Sequence, residues 1–123
     1  MEAILARVLG RRVEPPPEIP RDLIPPGVVF REGRLVPAIG GKLGKMHGPA
    51  DAVTLGRTII VHPDARLSQH LLVHELTHVR QWEEDRLFPV RYALESLRRG
   101  YRDNRYEREA REAERAAHGT HST

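Results

Sequence analysis

The chain of 123 residues contains no cysteine. Disulfide bonds and thiolate metal sites are therefore excluded, so any bound metal must be held by histidine, carboxylate or backbone oxygen. Aromatic residues are scarce, at 5%, and no run approaches the roughly 18 consecutive apolar residues of a membrane span. The N-terminal segment also lacks the continuous apolar centre of a secretory signal. These absences predict a cytoplasmic protein without a membrane segment.

Lysine is nearly absent from a chain whose formal net charge is +3, because arginine supplies almost all of the basic residues. Toward the C-terminus these arginines alternate with glutamates, a pattern typical of a solvated, salt-bridged helix face. We therefore expect no nucleic-acid partner. A basic nucleic-acid-associated protein is the alternative, which strong, salt-dependent binding to DNA or RNA would support.

The length is that of a single domain over 1–123 with one modest core. Hydrophobic periodicity predicts an α+β fold, with a small antiparallel sheet followed by three helices. The N-terminal part, residues 1–51, is predicted to hold a short amphipathic helix and a proline-rich connector. A hairpin over 28–36 and a glycine-rich loop over 40–50 complete it.

The region over 52–117 contains the clearest elements. Residues 52–61 predict a hairpin that turns at Gly56 and Arg57, because β-branched runs flank this pair. The apolar spacing then predicts three helices, over 66–85, 89–100 and 104–117, and a frayed tail over 118–123.

The first of these helices carries the sequence His-Glu-Leu-Thr-His at residues 74–78. Successive helical residues turn about 100°, so His74 and His78 lie about 40° apart on one face, with Glu75 in the same narrow arc. Both imidazoles can therefore reach one metal ion. A shuffled chain of this composition would contain about 0.04 such motifs, so chance is a poor explanation.

This arrangement of residue types is the one that a zinc hydrolase needs. Zinc lowers the pKa of its bound water to about 7, and a neighbouring carboxylate takes the proton during attack. We interpret His74 and His78 as zinc ligands and Glu75 as the general base. The alternative is a pair of hydrogen-bonded histidines beside an ordinary glutamate.

The His-Glu-x-x-His helix followed by a downstream glutamate resembles the gluzincin zinc metallopeptidases, to which thermolysin belongs. In those enzymes the third ligand is a glutamate followed by alanine, and the present chain has Glu109-Ala110. The resemblance covers about residues 52–117, and the short chain is most similar to the minigluzincins. The motif region also resembles uncharacterised bacterial proteins that carry peptidase-like domains. A zinc-dependent metallopeptidase acting on peptide or protein substrates is what this resemblance implies.

The third ligand is predicted to be Glu109 rather than Glu107. Two residues apart on a helix, they point about 200° apart and cannot serve interchangeably. Glu107 has a structural explanation, because with Asn104 as N-cap it would complete a capping box. The resemblance supports Glu109, and it also implies an aspartate four residues later, where this chain has Ala113. The large C-terminal domain of thermolysin is likewise missing.

Several further residues receive weaker interpretations. Gluzincins place an oxyanion-stabilising tyrosine or histidine near zinc, and Tyr101 and Tyr106 are the candidates here. An edge strand over Leu55–Ile60 is predicted to pair with extended substrate. Trp82 is interpreted as core and Asp64 as a turn or cap residue.

The rival to the enzyme is a zinc-stabilised binding or regulatory module. In such a module zinc would support folding without catalysis, and a fourth protein ligand would close the site. Four of the five histidines outside the motif are interpreted as solvated: His47, His62, His118 and His121.

Overall fold

The computed structural model describes residues 2–43, 48 and 50–121. It confirms the α+β class, with a four-stranded sheet followed by three long helices. In chain order the elements are α1 (Glu2–Leu9), β1 (Arg11–Val13), β2 (Val29–Glu32), α2 (Leu35–Leu43), β3 (Ala52–Leu55), β4 (Thr58–Val61), α3 (Gln69–Glu84), α4 (Phe88–Asp103) and α5 (Arg105–His121). A short 3₁₀ turn over Arg21–Leu23 lies in the proline-rich connector.

The strands are ordered β1-β2-β4-β3. The two outer pairs are antiparallel, but β2 and β4 are parallel, with Phe30 opposite Ile59. The sheet is therefore mixed, and the prediction of a wholly antiparallel sheet was wrong. The parallel pair arises because α2 lies between β2 and the β3–β4 hairpin, so the chain returns before β4 pairs with β2.

The predicted hairpin over 28–36 is wrong in its second half. Residues 35–43 form α2, because both edges of β2 are already paired, with β1 and with β4. Residues 34–36 therefore have no strand edge to join. The same helix replaces the first part of the predicted loop over 40–50, while most of the rest of that loop, including His47, lies outside the described residues.

The hairpin predicted over 52–61 is confirmed as β3 and β4. Its turn depends on Gly56, whose φ of 63° lies in the left-handed region that glycine adopts without strain. The β-branched residues that follow it, Ile59 and Ile60, are fully buried. The core packs one face of the sheet against α3 through Ile19, Phe30, Ile59, Val61, Leu67, Leu72 and Val79.

The three C-terminal helices are confirmed, with shifted ends. Ser68 caps α3, since its Oγ accepts a hydrogen bond from the Leu71 N–H at 3.1 Å, while Asp64 lies in the preceding turn. The regular helix of α4 breaks at Gly100, as predicted, where a φ of 76° and a ψ of 173° mark a kink before the last residues up to Asp103. α5 is helical to His121, so the predicted frayed tail begins too early. None of the described helices is long and apolar enough to cross a membrane.

The edge strand beside α3 is β3, which partly corrects the prediction for Leu55–Ile60. Thr58 to Ile60 belong to β4, which is paired on both sides, and only Leu55 lies on the edge strand. One edge position is already engaged, because the Trp82 indole Nε1 donates to the Thr54 carbonyl oxygen at 3.1 Å.

Candidate metal centre

The two motif histidines meet a carboxylate from another helix in a buried cluster. His74 and His78 lie one turn apart on α3, and their Nε2 atoms are 2.8 and 3.0 Å from the same oxygen, Oε1 of Glu107 on α5. One ligand atom from each of the three side chains lies within 4.8 Å of the others. The relative exposures are 6% for each histidine and 3% for the glutamate.

The structure brings Glu107 to the histidines and keeps Glu109 away from them. Glu109 has a side chain that is 53% exposed, and its Oε1 lies 3.3 Å from Arg80 and 2.6 Å from the Gln81 amide nitrogen. The geometry therefore contradicts the predicted preference for Glu109. The reason is the rotation of α5, which turns Glu107 and the fully buried Ala110 toward α3.

The capping box predicted for Glu107 is also absent. Asn104 does cap α5, since its Oδ1 accepts a hydrogen bond from the Tyr106 N–H at 2.9 Å. Its own N–H, however, bonds the Tyr101 carbonyl oxygen at 3.3 Å rather than the Glu107 carboxylate. The structural role that argued against Glu107 as a ligand does not exist.

Each histidine is also held at its second nitrogen. Nδ1 of His74 lies 3.0 Å from Oε1 of Glu114, and Nδ1 of His78 lies 2.7 Å from Oε1 of Gln81. An acceptor at Nδ1 fixes the ring and leaves Nε2 to face the cluster. Glu114 thus gives His74 a carboxylate partner seven residues after Glu107, and not at the position four residues after the ligand glutamate that the resemblance implied.

Glu75 lies beside the cluster without joining it. Its side chain is buried, and Oε1 accepts a hydrogen bond from the Thr54 hydroxyl at 2.7 Å. Burial raises the pKa of Glu75, and the nearby charges of His74 and His78 oppose that shift. A carboxylate with a raised pKa is a better proton acceptor than an exposed one.

Within the cluster, the negative charge of Glu107 and the positive charges of the two histidines stabilise each other. Burial alone would lower the pKa of His78, but the hydrogen bond to Glu107 and its charge raise that pKa to about 9. The pKa of His74 is raised for the same reason. Burial would raise the pKa of Glu107, yet hydrogen bonds from the two histidines hold it well below its usual range.

Two tyrosines close the cluster on the side of Glu107. The Tyr92 hydroxyl donates to Oε2 of Glu107, and the Tyr101 phenol lies close enough to this carboxylate for the charge of Glu107 to act on its pKa. Burial and the charge of Glu107 raise the pKa of both phenols, so each stays a proton donor. Tyr106, the other predicted candidate, instead accepts a hydrogen bond from Arg105 at the surface.

The donor atoms suit a divalent transition metal. Two imidazole nitrogens and one carboxylate oxygen are the ligands that zinc takes in hydrolase sites, where a fourth position is left for water. Among the described residues, every buried side-chain nitrogen and oxygen atom has a hydrogen-bond partner. The cluster is therefore a possible metal site whose ion the geometry does not identify.

The fold and this cluster define an α+β protein with a buried His-His-Glu group, which is consistent with a zincin-like metal site. The eCIS core domain is the family whose model matches the chain, over residues 45–86. That match covers about a third of the chain and includes β3, β4 and α3, but it ends before α5. No curated protein and no solved structure matches the chain.

Sequence reasoning missed four residues around the cluster. Gln81 follows His78 by three positions and Glu114 follows Glu107 by seven, so helical spacing could have placed both on the site faces. Thr54 and Tyr92 have no such signal, because their roles depend on how β3 and α4 pack.

Proposed function

We propose that this chain is a zinc-dependent hydrolase that cleaves peptide bonds. His74, His78 and Glu107 hold the metal, and Glu75 is the general base. The observation that carries the proposal is the convergence of three ligand atoms within 4.8 Å beside a second carboxylate, that of Glu75, which is not a ligand. A cluster that served only to bury ions would have no need for that separate carboxylate.

Zinc, when bound, lowers the pKa of water to about 7 and polarises the scissile carbonyl group. The protein supplies the proton transfers. Thr54 fixes one oxygen of Glu75, and the other takes a proton from the attacking water and passes it to the leaving amine nitrogen. The phenols of Tyr92 and Tyr101, kept protonated by burial, are donors for negative charge on the substrate oxygen.

A non-catalytic, metal-stabilised module is the second candidate. It is favoured by burial, since the side chains of His74 and His78 are each 8% exposed and that of Glu107 is 5% exposed. Structural sites are closed by protein on all sides, whereas a catalytic site keeps an open coordination position. Accessibility of the metal to small ligands therefore separates the two functions.

The test begins with the zinc content of the purified protein, for which we expect about one ion per chain. Glu75→Gln keeps the shape of the side chain but cannot accept a proton, so it should retain zinc and lose hydrolysis of a peptide library. Glu84→Gln is the matched control, because Glu84 is an exposed residue of the same helix that pairs with Arg80. It should leave both properties unchanged.

Cobalt substitution supplies the measurement of access. In the enzyme, added acetohydroxamate should change the visible spectrum of the cobalt protein. Zinc that raises the melting temperature, together with no hydrolysis and a cobalt spectrum indifferent to hydroxamate, would instead establish the non-catalytic module. Equal turnover by wild type and Glu75→Gln would reject Glu75 as the base.

A further inference from the structure

Gln81 links His78, which belongs to the metal cluster, to Glu109, which lies outside it. Its side chain is buried, 4% exposed, and both ends of the amide are engaged. Nε2 donates to Oε1 of Glu109 at 2.6 Å and to the Tyr106 carbonyl oxygen at 3.1 Å. Oε1 lies 2.7 Å from Nδ1 of His78.

The hydrogen-bonding partners determine which way this amide faces. A carboxylate and a backbone carbonyl can only accept hydrogen bonds, so the amide nitrogen of Gln81 must face Glu109 and Tyr106. In the opposite orientation its oxygen would meet two acceptors. Oε1 therefore faces His78, whose Nδ1 must carry a proton to complete the bond. The lone pair of a neutral His78 is then on Nε2, which faces the cluster.

We propose that Glu109 and Gln81 form a relay that sets the tautomer and ring orientation of His78 for metal binding. The inference rests on the proposed metal site and gives Glu109 a role one hydrogen bond removed from it. Glu109 is thus a positioning residue and not a ligand. The relay crosses from α5 to α3, so it also ties the rotation of His78 to the packing of the two helices.

Gln81 and Glu109, the two members of the relay, should differ in how strongly they affect zinc affinity. Gln81 is buried and touches the ligand, and loss of such a partner typically weakens metal binding about 10–100-fold. Glu109 is half exposed and shares its carboxylate with Arg80 at 3.3 Å. The Tyr106 carbonyl oxygen also remains as an acceptor when Glu109 is removed. The effect of Glu109 should therefore be smaller than that of Gln81.

Zinc affinity, measured by competition with a chromophoric chelator, is the first test. Gln81→Leu should bind zinc about 10–100-fold more weakly, and Glu109→Ala should show a smaller but measurable loss. Glu112→Ala is the matched control, since Glu112 is an exposed glutamate of the same helix. If Glu109→Ala binds zinc as tightly as this control, the relay is wrong.

A rescue experiment distinguishes a relay from general damage to the fold. Gln81→Glu retains an acceptor for His78 but places two carboxylates against each other, so it should weaken zinc binding. Adding Glu109→Gln to it supplies an amide donor opposite the new carboxylate and should recover most of the loss. A double variant no better than Gln81→Glu would overturn the proposal.

The third measurement does not require metal. The Nδ1–H proton of His78, bonded to Gln81, should give a downfield NMR resonance that is protected from solvent exchange in the metal-free protein. Gln81→Leu should abolish this protection and Glu109→Ala should reduce it, while Glu112→Ala should not. If wild type binds no zinc, the proposed function fails, and this resonance still decides the relay. Unchanged protection in Gln81→Leu would refute it.

Discussion

Replacement of Glu107 by glutamine is the sharpest test of the ligand assignment. The side chain is 5% exposed, and one of its oxygens lies 2.8 Å from His74 and 3.0 Å from His78. Glutamine fills the same space without the charge, so two buried imidazoles lose the carboxylate that compensates them. Removing one partner of a buried ion pair costs about 3–5 kcal/mol. Zinc binding should weaken strongly as well, because one of three ligands is lost.

Glu109→Gln is the matched control for Glu107→Gln. The side chain of Glu109 is 53% exposed, and its pair with Arg80 is a surface ion pair, worth about 0–1 kcal/mol. Urea denaturation of the metal-free proteins should therefore separate the two variants by several kcal/mol. Chelator competition should rank their zinc affinities in the same order.

The metal-free Glu107→Gln variant should also titrate differently. Without the charge of Glu107, burial is left to lower the pKa of His78, so NMR titration should find it below the value of about 9 in the wild type. A variant with wild-type stability, wild-type zinc affinity and an unshifted histidine would refute the assignment of Glu107. The reverse order of the two glutamate variants would return the ligand to Glu109.

Three further predictions follow from single contacts. Zinc must displace the proton of His78, whose pKa is raised to about 9, so zinc affinity should rise roughly tenfold per pH unit between pH 7 and 9 for each proton released. Calorimetry in buffers of different ionisation enthalpy should detect that release, and a pH-independent zinc affinity would contradict the prediction. Thr54→Val removes the hydroxyl that donates to buried Glu75, so the variant should lose about 1–3 kcal/mol of stability in urea denaturation and the pKa of Glu75 should rise further. An unchanged urea midpoint would show that this hydrogen bond is not formed. Gly100→Ala should cost about 1–3 kcal/mol in urea denaturation, because a φ of 76° with a ψ of 173° is a conformation that essentially only glycine adopts, although a Cβ there meets no atom within 4 Å. An unchanged urea midpoint would contradict this prediction.

The three C-terminal helices and the β3–β4 hairpin could be predicted because their signals are local, whereas α2 was not predicted. Apolar residues at helical spacing and a glycine between β-branched runs each constrain only a few neighbouring residues. The parallel pairing of β2 with β4 is not a local property, because it depends on which distant segment lies at the free edge of β2 in the folded sheet. Residues 34–36 suit a strand by composition, but both edges of β2 are occupied, and α2 begins at Leu35 instead.

In the candidate site, too, some residues could be placed from the local sequence and others depend on how the helices pack. His74, Glu75 and His78 are one helical turn and could be placed together from the sequence. The third carboxylate depends on the rotation of α5 about its axis, which the two glutamates alone do not reveal. The burial of Ala110 three residues after Glu107, and the bond from Glu114 to His74 seven residues after it, trace the face of α5 that meets α3. A prediction based on that i, i+3, i+7 face would have chosen Glu107.

The ligand set has a consequence for separating the two candidate functions. α3 supplies two ligands and α5 the third, so a bound metal would join the two helices whether or not it is catalytic. Loss of any ligand would then reduce stability and activity together, and ligand variants cannot tell an enzyme from a metal-stabilised module. Glu75 is the exception, because it touches Thr54 and adjoins the cluster without belonging to it. At Glu75 the two functions therefore predict different outcomes for a variant that still binds metal.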